Sequence, residues 1–122
     1  EVICDLEKDL NMDQNRLHIA HIDDELVGCA GLYTNELVNS TKYADKLWLG
    51  DVYISDKYRR RGISRLLIEK NLDIAKEMGR DLFIISEPSL VKFYEKYGFK
   101  KVEKCSYLDK PNYIMVFSHD RS

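Results

Sequence analysis

The 122-residue chain has little of what marks a specialised class. It holds three cysteines, Cys4, Cys29 and Cys105, which are scattered, odd in number and free of any C-x-x-C pair. That excludes a disulfide framework and reads as reduced thiols of a cytosolic protein. It lacks charge of one sign: 19 lysines and arginines against 21 aspartates and glutamates leave a net charge of -2. A polybasic protein that coats nucleic acid or membrane by charge alone is therefore excluded. No apolar run approaches the ~18 residues of a membrane span, and no signal peptide is visible. Repeats, low-complexity tracts and linkers are absent as well. The chain also lacks an initial Met: it starts at Glu1, and reads as a fragment, a processed form or the ordered part of a longer chain.

What is present is an ordinary globular composition, 44% hydrophobic and 11% aromatic. The length suits one domain over residues 1–122. A chain of this size buries roughly two thirds of its unfolded surface, so no disulfide or metal staple is required. Val2, Ile3, Leu6 and Leu10 stand at helical spacing and predict a short amphipathic helix over 1–12. Arg16–Ile22 and Leu26–Thr34 read as strands around an Asp23-Asp24-Glu25 turn. Residues 35–46 form a polar connection long enough to be functional. Leu47–Ser55 is a third strand, rich in aromatic and β-branched residues. A helix from Arg61 or Gly62 to Met78 carries a stripe of Ile63, Leu66, Leu67, Ile74 and Met78, widened by Ile68, Leu72 and Ala75. Gly79 ends it. Leu82–Ser86 is an apolar strand, and Pro88 opens a helix that Gly98-Phe99 stops near Tyr97. Two strands, Lys101–Ser106 and Asn112–Phe117, close the chain around a Lys110-Pro111 turn. The order predicts an α/β (α+β) domain with helices flanking a mixed, mainly antiparallel sheet.

The chemistry concentrates where the third strand passes into the first long helix. Arg59, Arg60, Arg61 and Arg65 crowd a helix start, with Gly62 among them. A helix N-terminus already carries about half a positive charge, so each arginine there costs ~0.3–1 kcal/mol when exposed. An anion reverses that sign, because it meets guanidinium groups and unpaired backbone amides together. Gly62 lets the backbone approach it closely. The run read alone is a solvated basic loop; its strand-glycine-helix context points to a phosphate or pyrophosphate. It is neither a P-loop nor a dinucleotide G-x-G-x-x-G turn.

Arg59-x-x-Gly62-x-Ser64 resembles the [QR]-x-x-G-x-[GA] pyrophosphate loop of the GNAT superfamily of acyl-CoA N-acyltransferases, with Ser64 in the last small position. Phe93-Tyr94-Glu95-Lys96-Tyr97-Gly98-Phe99 is similar to the family's F-Y-E-K-x-G-F signature, at the expected distance after the loop. The resemblance covers nearly all of the chain from Arg16 on. The N-terminus departs from the family, in which a strand and one or two helices come first, and reads as truncated. Glu87 also departs, standing where many relatives carry an asparagine that helps hold the cofactor.

The resemblance implies acetyl-CoA as co-substrate and no metal. It implies that the third strand splays from Leu82–Ser86, that the pantetheine arm pairs with the backbone of Val52 and Ile54 across Tyr53, and that Arg59, Arg60, Arg61, Gly62, Ile63, Ser64 and Arg65 surround the pyrophosphate. An amine attacks the acyl carbonyl directly, polarised by backbone N–H near Val52. Tyr94 is the candidate catalytic acid for the departing thiolate. A thiol pKa near 8.5 against about 10 for tyrosine makes full proton transfer uphill by roughly 2 kcal/mol, so a hydrogen bond to the thiolate is the natural role. The alternative for Tyr94 is a core tyrosine packing its ring.

The base is not assigned. Freeing an alkylamine of pKa about 10.4 costs roughly 4.6 kcal/mol at pH 7. Relatives place Glu or His at positions held here by Trp48 and Gly50, and neither serves. Asp51 faces the other side by alternation unless a bulge turns it; Glu36, Asp45 or a water chain are the other options. Gly50, Trp48, Tyr33, Tyr43 and Tyr53 shape an acceptor pocket or are core and rim aromatics. His18 and His21 differ by an odd number and do not form a metal pair, and His119 reads as a surface residue. The expected acceptor is a small-molecule or peptide amine, with no nucleic-acid or membrane partner, in a cytoplasmic monomer or homodimer. The competing classes are a catalytically inactive CoA-binding sensor or interaction module of the same fold, and a small nucleic-acid binder using the arginines.

Overall fold

The computed structural model describes residues 3–8, 16–22, 25–33, 43, 46–55 and 62–118, without the side chains of 3–8, 16–19 and 51. Strands β1 (Ile3–Lys8), β2 (Arg16–Ile22), β3 (Glu25–Tyr33) and β4 (Leu47–Ile54) come first. Helix α1 (Ile63–Glu77), strand β5 (Leu82–Ser86), a 3-10 turn (Pro88–Leu90) and helix α2 (Val91–Glu95) follow. Strands β6 (Lys100–Tyr107) and β7 (Lys110–Phe117) close the described part. The seven strands form one sheet in the order β1-β2-β3-β4-β5-β7-β6. All neighbours are antiparallel except β4 and β5. This is the mixed, mainly antiparallel sheet with helices that the pattern predicts.

The N-terminal segment differs. The expected helix over 1–12 is instead β1, paired along its length with β2 from Ile3↔His21 to Lys8↔Arg16. The segment also alternates, Cys4 and Leu6 against Asp5 and Glu7, and the open edge of β2 selects the period of two. A strand therefore does precede the β2–β3 hairpin, and the seven residues from 9 to 15 between β1 and β2 lie outside the described residues.

One face of the sheet carries the main core. Ile63, Leu67, Ile68 and Ala75 of α1, with Val91, Tyr94 and Phe99, pack on Val27, Ala30, Leu32, Leu47, Leu49, Leu82, Ile84 and Met115. The buried row of α1 is Ile63, Leu67, Asn71 and Ala75, an i, i+4 series with Ile68 beside it. The predicted stripe is thus rotated: Leu66 and Met78 are exposed at 38% and 43%. Asn71, polar yet fully buried, hides this row from hydrophobic pattern alone, and it is tolerated because its Nδ2 donates to the Leu67 carbonyl at 2.7 Å. The opposite face carries a smaller cluster of Tyr43, Trp48, Phe83 and Ile114.

The predicted Lys110-Pro111 turn moves back two residues. Leu108 and Asp109, at φ 53° and 64°, form the two-residue link between β6 and β7. Pro111 opposes Ser106 inside the ladder. In a two-residue hairpin the pair next to the closing one is not hydrogen-bonded, so the missing N–H of Pro111 costs nothing on that side. The predicted helix over 88–97 divides into the 3-10 turn and α2, with Leu90, the last residue of the turn and the N-cap of α2, at φ -105° and ψ 1°.

Candidate active site

The decisive local feature is a parted pair of parallel strands. Strands β4 and β5 pair only at Leu47↔Leu82 and Trp48↔Phe83. Beyond those residues β5 stays on β7 while β4 stays on β3. The backbone of Ser55 donates to the Val27 carbonyl at 2.8 Å, toward β3. Lateral direction alternates along a strand, so the backbone groups of Val52 and Ile54 face away from β3, into the gap. The side chains of Val52 and Ile54 pack against the main core, whereas Tyr53 is 52% exposed. The splay expected around Val52, Tyr53 and Ile54 is thus present.

The β3–β4 register slips inside this region. Gly31 opposes Gly50 and Cys29 opposes Tyr53, so Asp51 and Val52 together face Ala30. This is a β-bulge, the condition under which alternation no longer settles the side of Asp51; its side chain lies outside the described residues. Trp48, fully buried, packs on Phe83 at 5.5 Å and on Tyr43 at 5.8 Å. These aromatics, with Tyr33 beside them, form the second core cluster, and Glu36 and Asp45 lie outside the described residues.

Helix α1 begins at the mouth of the gap. Gly62 is its N-cap at φ 78°, exposed, and an added Cβ meets nothing within 4 Å. The left-handed backbone, more than lack of room, is what favours glycine here. Gly62 has no side chain with which to cap this end, and the first turn of α1 holds no acidic residue. Leu66 N–H donates to the Gly62 carbonyl at 3.1 Å, closing the first turn, with the amides of Ile63, Ser64 and Arg65 at the positive end of the dipole. Ile63 buries its side chain in the core, so only its backbone is available to a ligand. Arg65 lies along the helix, its Nε 3.2 Å from Glu69 Oε2, in an exposed pair of a kind that contributes about 0.3–0.5 kcal/mol. Arg59, Arg60 and Arg61 lie outside the described residues.

Tyr97, two residues past the end of α2, has its pKa raised by burial first and the Glu69 carboxylate next, with Arg65 and the Ser64 hydroxyl opposing the shift, so the start of α1 lies beside the end of α2. Tyr94 sits one turn earlier, 8% exposed, its ring edge-on to Phe93 at 5.1 Å and to Phe99 at 5.8 Å. Burial, then Tyr97 and the Glu87 carboxylate, raise its pKa above the ordinary 10.0. The phenol therefore stays a proton donor through neutral and mildly alkaline pH. Gly98, at φ 102°, lets Phe99 N–H return to the Tyr94 carbonyl at 3.3 Å, which ends α2 and seats Phe99 in the core.

Tyr94 also lines a cleft of about 690 Å³ between the 86–90 segment and the tip of the β6–β7 hairpin. The cleft was not legible in the sequence, because its two walls are some twenty residues apart and only the sheet order brings them together. A larger hollow, about 870 Å³, lies between α1 and Tyr97 and contains none of the predicted site residues. Among the described residues no three His, Cys, Asp or Glu side chains gather where they would hold a metal ion.

A family model described as acetyltransferase (GNAT) domain matches residues 4–109. The chain belongs to the GNAT acetyltransferase family. Within the family it is 31% identical over 81 residues to the uncharacterized N-acetyltransferase CgeE of Bacillus subtilis (strain 168). That match takes in 64% of this chain and only 29% of the relative, so the chain spans well under half of the curated protein it matches. Among solved structures, an acyl-CoA N-acyltransferase from Pseudomonas aeruginosa superposes with a TM-score of 0.72 at 22% identity, covering 90% of this chain and 72% of that one. A putative streptothricin acetyltransferase from Bacillus anthracis str. Ames in complex with acetyl coenzyme A superposes with a TM-score of 0.70 at 19% identity, covering 89% of this chain and 65% of that one. These likenesses establish the GNAT fold for the described sheet and helices.

Proposed function

We propose that the protein is an N-acetyltransferase that moves an acetyl group from acetyl-CoA to a primary amine by direct attack. The observation that carries this reading is the parting of β4 from β5, with Tyr94 in the core cluster on which Val52 and Ile54 pack and the start of α1 following at Gly62. The pantetheine arm lies in the gap and takes hydrogen bonds from the backbone of Val52 and Ile54. The pyrophosphate rests on the amides of Ile63, Ser64 and Arg65, with Arg59, Arg60 and Arg61 supplying charge; an arriving phosphate competes for Arg65 against Glu69. The acceptor nitrogen attacks the thioester carbon, the C–S bond breaks, and Tyr94 donates a hydrogen bond to the leaving thiolate. The presence of acetyl-CoA in the Bacillus anthracis structure supports this choice of co-substrate. Free thiol chemistry at Cys105 fits the cytoplasm as the working compartment. No helix among the described residues is long and apolar enough to cross a membrane.

The test is CoA release measured with acetyl-CoA and a panel of primary amines, alongside direct binding of acetyl-CoA. Saturable release with at least one amine is expected. Acetyl-CoA binding without release from any amine would replace this reading by a non-catalytic CoA-binding module.

A further inference from the structure

The cleft beside Tyr94 has a chemistry that the transfer reaction alone does not require. Its described lining holds one carboxylate, Glu87, on the β5–α2 side and one ammonium, Lys110, on the hairpin side. The same lining includes Leu90, Tyr107 and Leu108, exposed at 41%, 37% and 78%. Three large apolar side chains left open to water around one hollow mark a recognition surface more than a packing accident. Leu108 adds a second sign. It occupies a left-handed backbone position, φ 53°, where Asn or Gly is the natural choice. A bulky apolar residue is thus held there against its backbone preference, at the rim of the cleft.

We propose that this cleft is the acceptor subsite, and that its acceptor is an α-amino acid with an apolar side chain. The assignment rests on the acetyl-transfer reading above. Glu87 takes the acceptor's ammonium group, Lys110 its carboxylate, and the Leu90, Tyr107 and Leu108 rim its side chain. Charge complementarity separates this acceptor from the alternatives: a simple amine leaves Lys110 unused, and a peptide N-terminus carries no carboxylate near its amine. Glu87 and Tyr94 line the same cleft, so a nitrogen held at the carboxylate shares that hollow with the phenol. In the reaction the N–C bond forms and the C–S bond breaks. Of the two protons lost by the ammonium group, one ends on the CoA thiol and one in solvent, giving N-acetyl amino acid and CoA.

The experiment compares L-leucine and L-phenylalanine with isoamylamine, phenethylamine and leucinamide as acceptors for acetyl-CoA. The amino acids are expected to exceed the carboxylate-free amines at least tenfold in kcat/KM. Lys110→Met closes that gap, and Glu87→Gln raises the amino-acid KM about tenfold, while the KM for acetyl-CoA stays put in both. Equal rates with and without the carboxylate, or a gap that survives Lys110→Met, overturn the assignment. Backbone amide NMR shifts on titrating L-leucine into the protein separate the two readings. Shifts at Glu87, Ser89, Leu90 and 107–110 without transfer to any amine support the cleft and overturn acetyl transfer. Transfer to other amines without such shifts overturns the cleft and leaves acetyl transfer standing.

Discussion

At the scale of single residues, Tyr94 joins two demands that its position in the motif does not separate. Its ring is a core element between Phe93 and Phe99, and its side chain also lines the cleft. Tyr94→Phe keeps the ring and removes the donor. It should lower kcat by about 10²-fold, the scale of losing one hydrogen bond to a developing anion, with acetyl-CoA affinity unchanged. An unaltered kcat would show the hydroxyl to be idle. The raised pKa has two consequences with one sign. The alkaline fall in activity due to Tyr94 comes above pH 10.0. Stability is unaffected by this group below that pH, then declines as the unfolded chain loses the proton that the folded chain retains, and levels off once the folded phenol ionises. Urea titrations between pH 8 and 11 of wild type and Tyr94→Phe read this directly. Gly98 is the other residue whose identity is required. An added Cβ lies 2.8 Å from the Phe117 ring and sits on a φ of 102°. Gly98→Ala should cost about 1–3 kcal/mol in urea denaturation.

Elements show where pattern misleads. Helix α1 is legible as a helix, but the side it buries is not, because Asn71 interrupts the apolar row that touches the sheet. Leu67→Ala should therefore cost about 2–5 kcal/mol, whereas Asn71→Ala, which removes an acceptor buried without a partner among the described residues, should stay within about 1 kcal/mol. Denaturant midpoints at constant slope read the difference between these two residues of one buried row. The hairpin tip gives the opposite case. Leu108→Asn with Asp109→Gly relieves two left-handed residues and should stabilise the fold by about 1 kcal/mol. If Leu108 serves the cleft, that gain comes with a weaker acceptor KM, a split that a purely structural turn would not produce.

For the whole molecule, the parted strands make ligand binding and folding one equilibrium. A co-substrate that fills the gap between β4 and β5 binds the folded chain alone. At a hundred times its Kd it adds about 2.7 kcal/mol, roughly 10 °C in Tm for a chain of this length. A saturable rise with acetyl-CoA, read by thermal denaturation, is expected; a Tm indifferent to acetyl-CoA at millimolar concentration would remove the cofactor reading.

Much of this was determined by sequence alone, where the signal is local and periodic. Strands β2 to β5, helix α1 and the glycine stops at 79 and 98 follow from hydrophobic period and from backbone freedom. The family follows from two short motifs whose residues carry their chemistry with them. Tertiary structure alone decided what depends on neighbours distant in the chain. It made residues 3–8 a strand, because β2 offers an open edge to pair with. It placed a bulge at Asp51 and Val52, because β3 supplies one residue where β4 supplies two. It brought Glu87 and Lys110 to one cleft, because β7 inserts between β5 and β6. Periodicity reports the face a residue occupies, whereas register and strand order report which residue stands opposite, and it is the latter that builds a site.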